Sequence, residues 1–251
     1  MTEGTERLSL GEVEAITKDA LVRAGALVDA AIATAWSVRA AERNGERSSG
    51  LQRVGRLIEG LRMSAIDGAA RPVLNRTLPT LLTVDAAGGL SDYAISSGFE
   101  TLIEVSRSYG MARLLVTETG DRAAANSWLG RLSERRAIGA LMGGPSGSAV
   151  SFPNVTQALP LPDTLGETFL RAASGVVPRA DPPLDLPFTA SVSGALILMA
   201  LQPMSELPGQ SRSFGTSGLS AGDADLVTRR HQADTEGVNV PSELLVSILT
   251  A

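Results

Sequence analysis

Thr80-Leu81-Leu82-Thr83-Val84-Asp85-Ala86-Ala87-Gly88-Gly89 is the stretch from which the architecture is read. A short β-branched and apolar run stops at an Asp/Ala/Gly turn, which reads as a strand over 80–84. Ser91 to Tyr109 then carries Ile95, Leu102 and Val105 at helical spacing, with Gly110 placed to cap its C-terminus. Ala112 to Val116 reads as the next strand, Ala123 to Arg136 as helix, and 137–142 and 148–152 as strands. Alternating α and β elements predict an α/β or α+β core.

Upstream the signals are helical. Ser9-Leu10-Gly11-Glu12 is a capping box followed by apolar residues to Gly25, and an Ala-rich segment runs from Ala26 to Arg43 before Asn44-Gly45. After Gly50, the series Leu51, Val54, Leu57, Ile58 and Leu61 predicts a third helix with one buried stripe, Arg53 and Arg56 lying off it. Downstream, 153–187 reads as irregular, with a short helix over 165–173 and four prolines near its end. The apolar run within 189–207 reads as a buried helix, Asp223 to Asp234 as a polar helix, and Pro241 to Leu249 as a terminal one. The expected organisation is a helical region over 1–78, a central α/β region over 79–187, and C-terminal helices over 188–251 that pack back on the first region.

Composition removes several classes of function. The net charge of −5 and the absence of a Lys/Arg cluster beside paired aromatics argue against nucleic acid. With no cysteine and a single histidine, His231, there are no disulfides, no thiolate metal sites and no two-His metal site. The N-terminus lacks the pattern of a signal peptide, and no apolar run approaches the ~20 residues of a membrane span. A cytoplasmic protein is expected.

The order of motifs resembles the type-2 malate/L-lactate dehydrogenase family, an NAD(P)-dependent group that includes sulfolactate and ureidoglycolate dehydrogenases and cyclic imino acid reductases. The family pattern Ser-His-Gly-x-x-Arg is matched by Ser48-Ser49-Gly50-Leu51-Gln52-Arg53, and its Asp-Gly-x-x-Gly turn resembles Asp85-Ala86-Ala87-Gly88-Gly89. Residues 224–234 with Val240-Pro241 look like its closing helix and tail. The resemblance implies that family's fold, which is not a Rossmann fold, with a reduced cofactor lobe, and a homodimer with the site near the interface.

The departures fall on the chemistry. Ser49 stands where the family has its proton-transferring histidine, and a hydroxyl without a neighbouring base does not exchange protons near neutrality as imidazole does. The family's Asn-Ser-Asn-His-Phe-Gly aligns with Glu118-Thr119-Gly120-Asp121-Arg122-Ala123, so Asp121 replaces a second histidine. Phe188-Thr189-Ala190-Ser191 stands in for a Gly-Tyr-Lys-Gly segment, and the nicotinamide-lobe motifs have no counterpart.

These residues define a candidate site. Arg53 suits a carboxylate or other oxyanion, because a guanidinium donates two parallel hydrogen bonds; the plainer alternative is a salt-bridged helix arginine. Ser48 and Ser49 are placed to bind a ligand, or at least one of them to cap the third helix. Asp121, with Glu118, Ser49 and Arg53, forms the expected catalytic set, Asp121 serving as acid/base if burial raises its pKa. Arg122, Tyr93, Ser48 and Arg53 form the expected substrate-binding set. Exposed-turn and core-packing roles stand beside these for Asp121 and Tyr93.

The expectation favoured by these losses is a non-redox enzyme on a dehydrogenase scaffold, a cyclase, isomerase or lyase of bacterial secondary metabolism without cofactor or metal, acting on a small molecule that is apolar or carboxylate-bearing. The alternatives are a divergent NAD(P)-dependent oxidoreductase of 2-oxo acids, 2-hydroxy acids or imines, and a non-catalytic ligand- or partner-binding relative.

Overall fold

The computed structural model describes residues 4–121, 126–144, 147–151, 159–161, 196–202 and 221–250. Its backbone begins with β1 (Thr5–Leu8), α1 (Leu10–Arg23), α2 (Val28–Arg43) and α3 (Leu51–Arg62). There follow β2 (Val73–Leu78), β3 (Leu81–Asp85), α4 (Ser91–Tyr109), β4 (Met111–Thr117), α5 (Asn126–Glu134), β5 (Ile138–Gly144), β6 (Gly147–Ser151) and β7 (Leu159–Leu161). The chain closes with β8 (Leu196–Leu201), α6 (Ala221–Glu236), β9 (Val238–Pro241) and α7 (Ser242–Thr250).

Seven strands form one mixed sheet in the order β2-β3-β4-β8-β5-β6-β7. Within it β3 and β4 run parallel, joined by α4 as crossover, while the other paired neighbours run antiparallel. Both α4 and α5 lie on one face, where Leu82, Val84, Ile95, Phe99, Leu102, Leu114, Trp128, Leu132 and Leu198 make a single core. A second core joins α1, α2, α3 and α7 through Val13, Leu21, Val38, Leu51, Val54, Ile58, Leu245 and Ile248. Trp36 of α2 packs onto the sheet-side core and so links the two. A separate ribbon pairs β1 antiparallel with β9.

Several local expectations agree with the structure. Ser9 and Glu12 form a reciprocal capping box, and Gly110 ends α4 in the left-handed conformation at φ 81°. The apolar run read as a buried helix over 189–207 is corrected: its described part is the strand β8, in the centre of the sheet between β4 and β5. Leu196, Leu198 and Ala200 face the α4 side, whereas Met199 meets Ala140 on the other. A strand covered on both faces is apolar at every position, so it shows no alternation to tell it from a buried helix. The ribbon strands β1 and β9 and the edge strand β2 carry no such signal either; β2 is mostly exposed. The short helix expected over 165–173 lies outside the described residues.

Candidate functional site

The turn Arg47–Gly50 delivers the chain into α3 against a carboxylate from the preceding helix. Gly50 is the N-cap and offers no side chain, and Glu42 of α2 takes that role by accepting from the Leu51 N–H at 2.7 Å. A Cβ on residue 50 would lie 2.1 Å from Glu42 Oε1, so glycine is required for this approach. Neither serine caps the helix, contrary to expectation; Ser48 is exposed and Ser49 half-buried. Burial raises the Glu42 pKa, opposed by the Leu51 N–H and by the charge of Arg47.

Arg53 is 4% exposed, so its place off the buried stripe is corrected. It stands one turn before Leu57 and two before Leu61, on the inner edge of α3. Its Nη2 donates to Asp92 Oδ2 at 2.7 Å and to Ser37 Oγ at 3.1 Å. Asp92, in the first turn of α4, has no exposed surface, and its Oδ1 accepts from Trp128 Nε1 at 2.8 Å. Ser127 Oγ donates to the Ser37 carbonyl at 3.0 Å, so α2, α3, α4 and α5 are joined through one polar cluster. Among the described residues no group accepts from Arg53 Nε or Nη1. Buried N–H groups left without an acceptor cost free energy, which a ligand oxygen or water relieves.

Asp121 follows β4 and reaches back to α4, its carboxylate accepting from the Ser91 N–H at 2.7 Å and from Ser91 Oγ at 3.0 Å. Burial, and then the negative charge of Asp92, hold its pKa above the usual carboxylate range; the Ser91 hydrogen bonds and the charge of Arg53 oppose them. Arg53, Asp92 and Asp121 thus share one electrostatic environment. Glu118 is exposed with φ 50°, its backbone carbonyl accepting from the Gly88 N–H at 2.7 Å. Tyr93 is half-buried against the helical core, and Arg122 lies outside the described residues.

Sequence reasoning missed Asp92, Ser37 and Trp128. Asp92 had a usable signal, since Asp92, Ile95, Phe99, Leu102 and Ser106 recur at the spacing of one helix face and all five are buried.

The turn after β3 is held by its own backbone. The N–H groups of Gly88, Gly89 and Gly120 donate to the carbonyls of Glu118, Ala86 and Gly89 respectively. A pyrophosphate needs unclaimed N–H groups, so this turn does not fit the phosphates of a dinucleotide.

Comparison with known proteins gives the context. Over 110 residues, 44% of this chain, it is 36% identical to a Δ1-pyrroline-2-carboxylate reductase of Ancylobacter novellus, and the match spans 32% of that relative. Two solved structures share the fold. The Δ1-piperideine-2-carboxylate reductase of Pseudomonas syringae pvar. tomato aligns with TM-score 0.69 at 15% identity, covering 98% of this chain and 99% of that one. Malate dehydrogenase of Entamoeba histolytica aligns with TM-score 0.66 at 13% identity, covering 98% and 96%. Relatives named as reductases overturn the expectation of a cofactor-independent cyclase, isomerase or lyase and favour the oxidoreductase alternative. The malate/L-lactate dehydrogenase family model matches residues 8–156, more than half of the sequence, and the chain belongs to that family.

Proposed function

We propose that this chain is an oxidoreductase that reduces the carbon–nitrogen double bond of a small molecule. Family membership and the 36% identity to a Δ1-pyrroline-2-carboxylate reductase support the reaction type. The observation that carries the choice of bond is Ser49, half-buried at the position where the family pattern has histidine. A reduced nicotinamide, the redox partner the family implies, would supply the hydride; the Gly88–Gly89 turn, whose N–H groups are engaged, would not be the part of the chain that holds its phosphates. Reduction of a protonated imine leaves a neutral amine and requires no further proton, whereas reduction of a carbonyl leaves an alkoxide that must be protonated. A serine in place of imidazole therefore suits an imine better than a 2-oxo acid.

The chain's own residues set the charges and donors of the candidate site. Asp92 and Ser37 fix the Nη2 end of Arg53, leaving Nε and Nη1 to donate to ligand oxygen or water. Asp121 places a half-buried carboxylate in the same field, suited to pair with a protonated imine nitrogen. A homodimer is part of the same reading.

The test is oxidation of NADH and NADPH, followed by absorbance, with Δ1-pyrroline, Δ1-pyrroline-2-carboxylate, pyruvate and oxaloacetate as acceptors. Turnover with a cyclic imine and little with the oxo acids is expected. Turnover with neither class of acceptor, or a preference for the oxo acids, overturns the proposal.

A further inference from the structure

The charges around Arg53 bear on what the site accepts. A free buried arginine would recruit an anion, but here Asp92, without exposed surface, already lies 2.7 Å from its Nη2. Asp92 is itself locked by the indole N–H of Trp128 at 2.8 Å, so it does not swing away when a ligand arrives. Asp121 adds a second carboxylate. With Asp121 ionised, one guanidinium faces two carboxylates; with Asp121 protonated the cluster is neutral. In neither state does it carry net positive charge.

We propose that the site selects a cyclic imine or amine taken up as a cation and lacking a carboxylate, and that Asp92 sets this choice by cancelling the charge of Arg53. A carboxylate entering beside Arg53 would meet the charge of Asp92, 2.7 Å from Nη2, and the field of Asp121, and at low effective dielectric their repulsion offsets much of the arginine's attraction. A cation is drawn by the same pair. The unclaimed Nε and Nη1 donors of Arg53 then serve a neutral oxygen, from a ligand hydroxyl, carbonyl or water. Turnover of the bound imine rests on the reductase reading; the selection of charge concerns binding alone.

Asp92 acts through Arg53 and is a positioning residue, so its test needs a readout that structural damage cannot mimic. Three probes of one ring size are titrated against the full chain by calorimetry: pyrrolidine as cation, proline as zwitterion and pyrrole-2-carboxylate as anion. Wild type is expected to bind them in that order of decreasing affinity. Asp92→Asn keeps an Oδ1 acceptor for Trp128 and removes the charge, and is expected to strengthen pyrrole-2-carboxylate binding about tenfold while weakening pyrrolidine. A merely structural role predicts that both weaken. If Asp92→Asn does not fold, the wild-type order stands as the test, together with weakened pyrrolidine binding in Asp121→Asn.

Tighter binding of pyrrole-2-carboxylate than of pyrrolidine by wild type, or no binding of either probe at millimolar concentration, overturns the proposal. Faster turnover of Δ1-pyrroline-2-carboxylate than of Δ1-pyrroline also overturns it while leaving the reductase reading intact. The expected order of binding without turnover of any acceptor sinks the reductase reading instead.

Discussion

Asp121 caps a helix to which it does not belong. Leu90, at the start of α4, has no capping side chain, and the carboxylate of Asp121 accepts from both the N–H and the hydroxyl of Ser91, thirty residues before it in the chain. The carboxylate at the site is therefore also a tie between the β4 turn and the crossover helix. Its pKa is raised in the folded state, so the native protein binds more protons than the unfolded chain above the ordinary value of 3.8. The favourable contribution is fully present below that value and is lost as pH rises through the folded pKa. Urea titrations across acid to neutral pH are expected to show a stability loss in wild type that is smaller in Asp121→Asn. An equal slope in both proteins would contradict this.

Gly50→Ala is expected to destabilise the fold by ~1–3 kcal/mol, because the new methyl group meets a carboxylate that is itself engaged with Leu51. Glu42→Gln retains an acceptor for that N–H and is expected to cost less. Midpoints of chemical unfolding for the two variants check the order.

Asp92→Ala leaves Arg53 buried without its counter-ion, and ~3–5 kcal/mol of stability is expected to be lost. Trp128→Phe preserves most of the packing but removes the indole donor, leaving Asp92 Oδ1 without that bond at a cost of ~1–3 kcal/mol. Thermal unfolding followed by calorimetry ranks them, and a Trp128→Phe variant less stable than Asp92→Ala would count against the ion pair as the stronger tie.

Ser49→His returns an imidazole to the family's position. General acid catalysis contributes roughly 10²–10⁴-fold where a proton must be delivered. The variant is expected to gain activity toward 2-oxo acids with little change toward cyclic imines. Steady-state rates on both acceptor classes decide; an equal gain on both would show that the imine step also needs a proton donor.

The helices and four of the nine described strands, β3, β4, β5 and β6, were legible because their signals are local. Ser9 and Glu12 are three residues apart, and Gly110 directly follows Tyr109. The central strand β8 was illegible for the opposite reason, since only the sheet on both sides explains why Leu196 to Leu201 is apolar throughout. The site divides in the same way. The turn around Ser49 and Arg53 was marked by its resemblance to the family pattern, but the partner of Arg53 is 39 residues away in sequence and the anchor of that partner a further 36. A charge in an amphipathic helix looks solvated until the opposing helix is known, and this hid the burial of both Arg53 and Asp92.

The ribbon of β1 and β9 has a consequence for the order of folding. Thr5 pairs with Pro241 and Leu8 with Val238, and just beyond the ribbon Leu245 and Ile248 of α7 fill the core shared by α1 and α3. Contacts between residues so distant along the chain are slow to form, because closing a long loop must precede any gain from them. The helical half of the molecule thus carries an open apolar seam along α1 and α3 until α7 arrives to seal it. Amides of α1 are accordingly expected to gain protection from hydrogen exchange together with those of α7, and later than those of the β3–α4–β4 unit, although α1 precedes that unit in the chain.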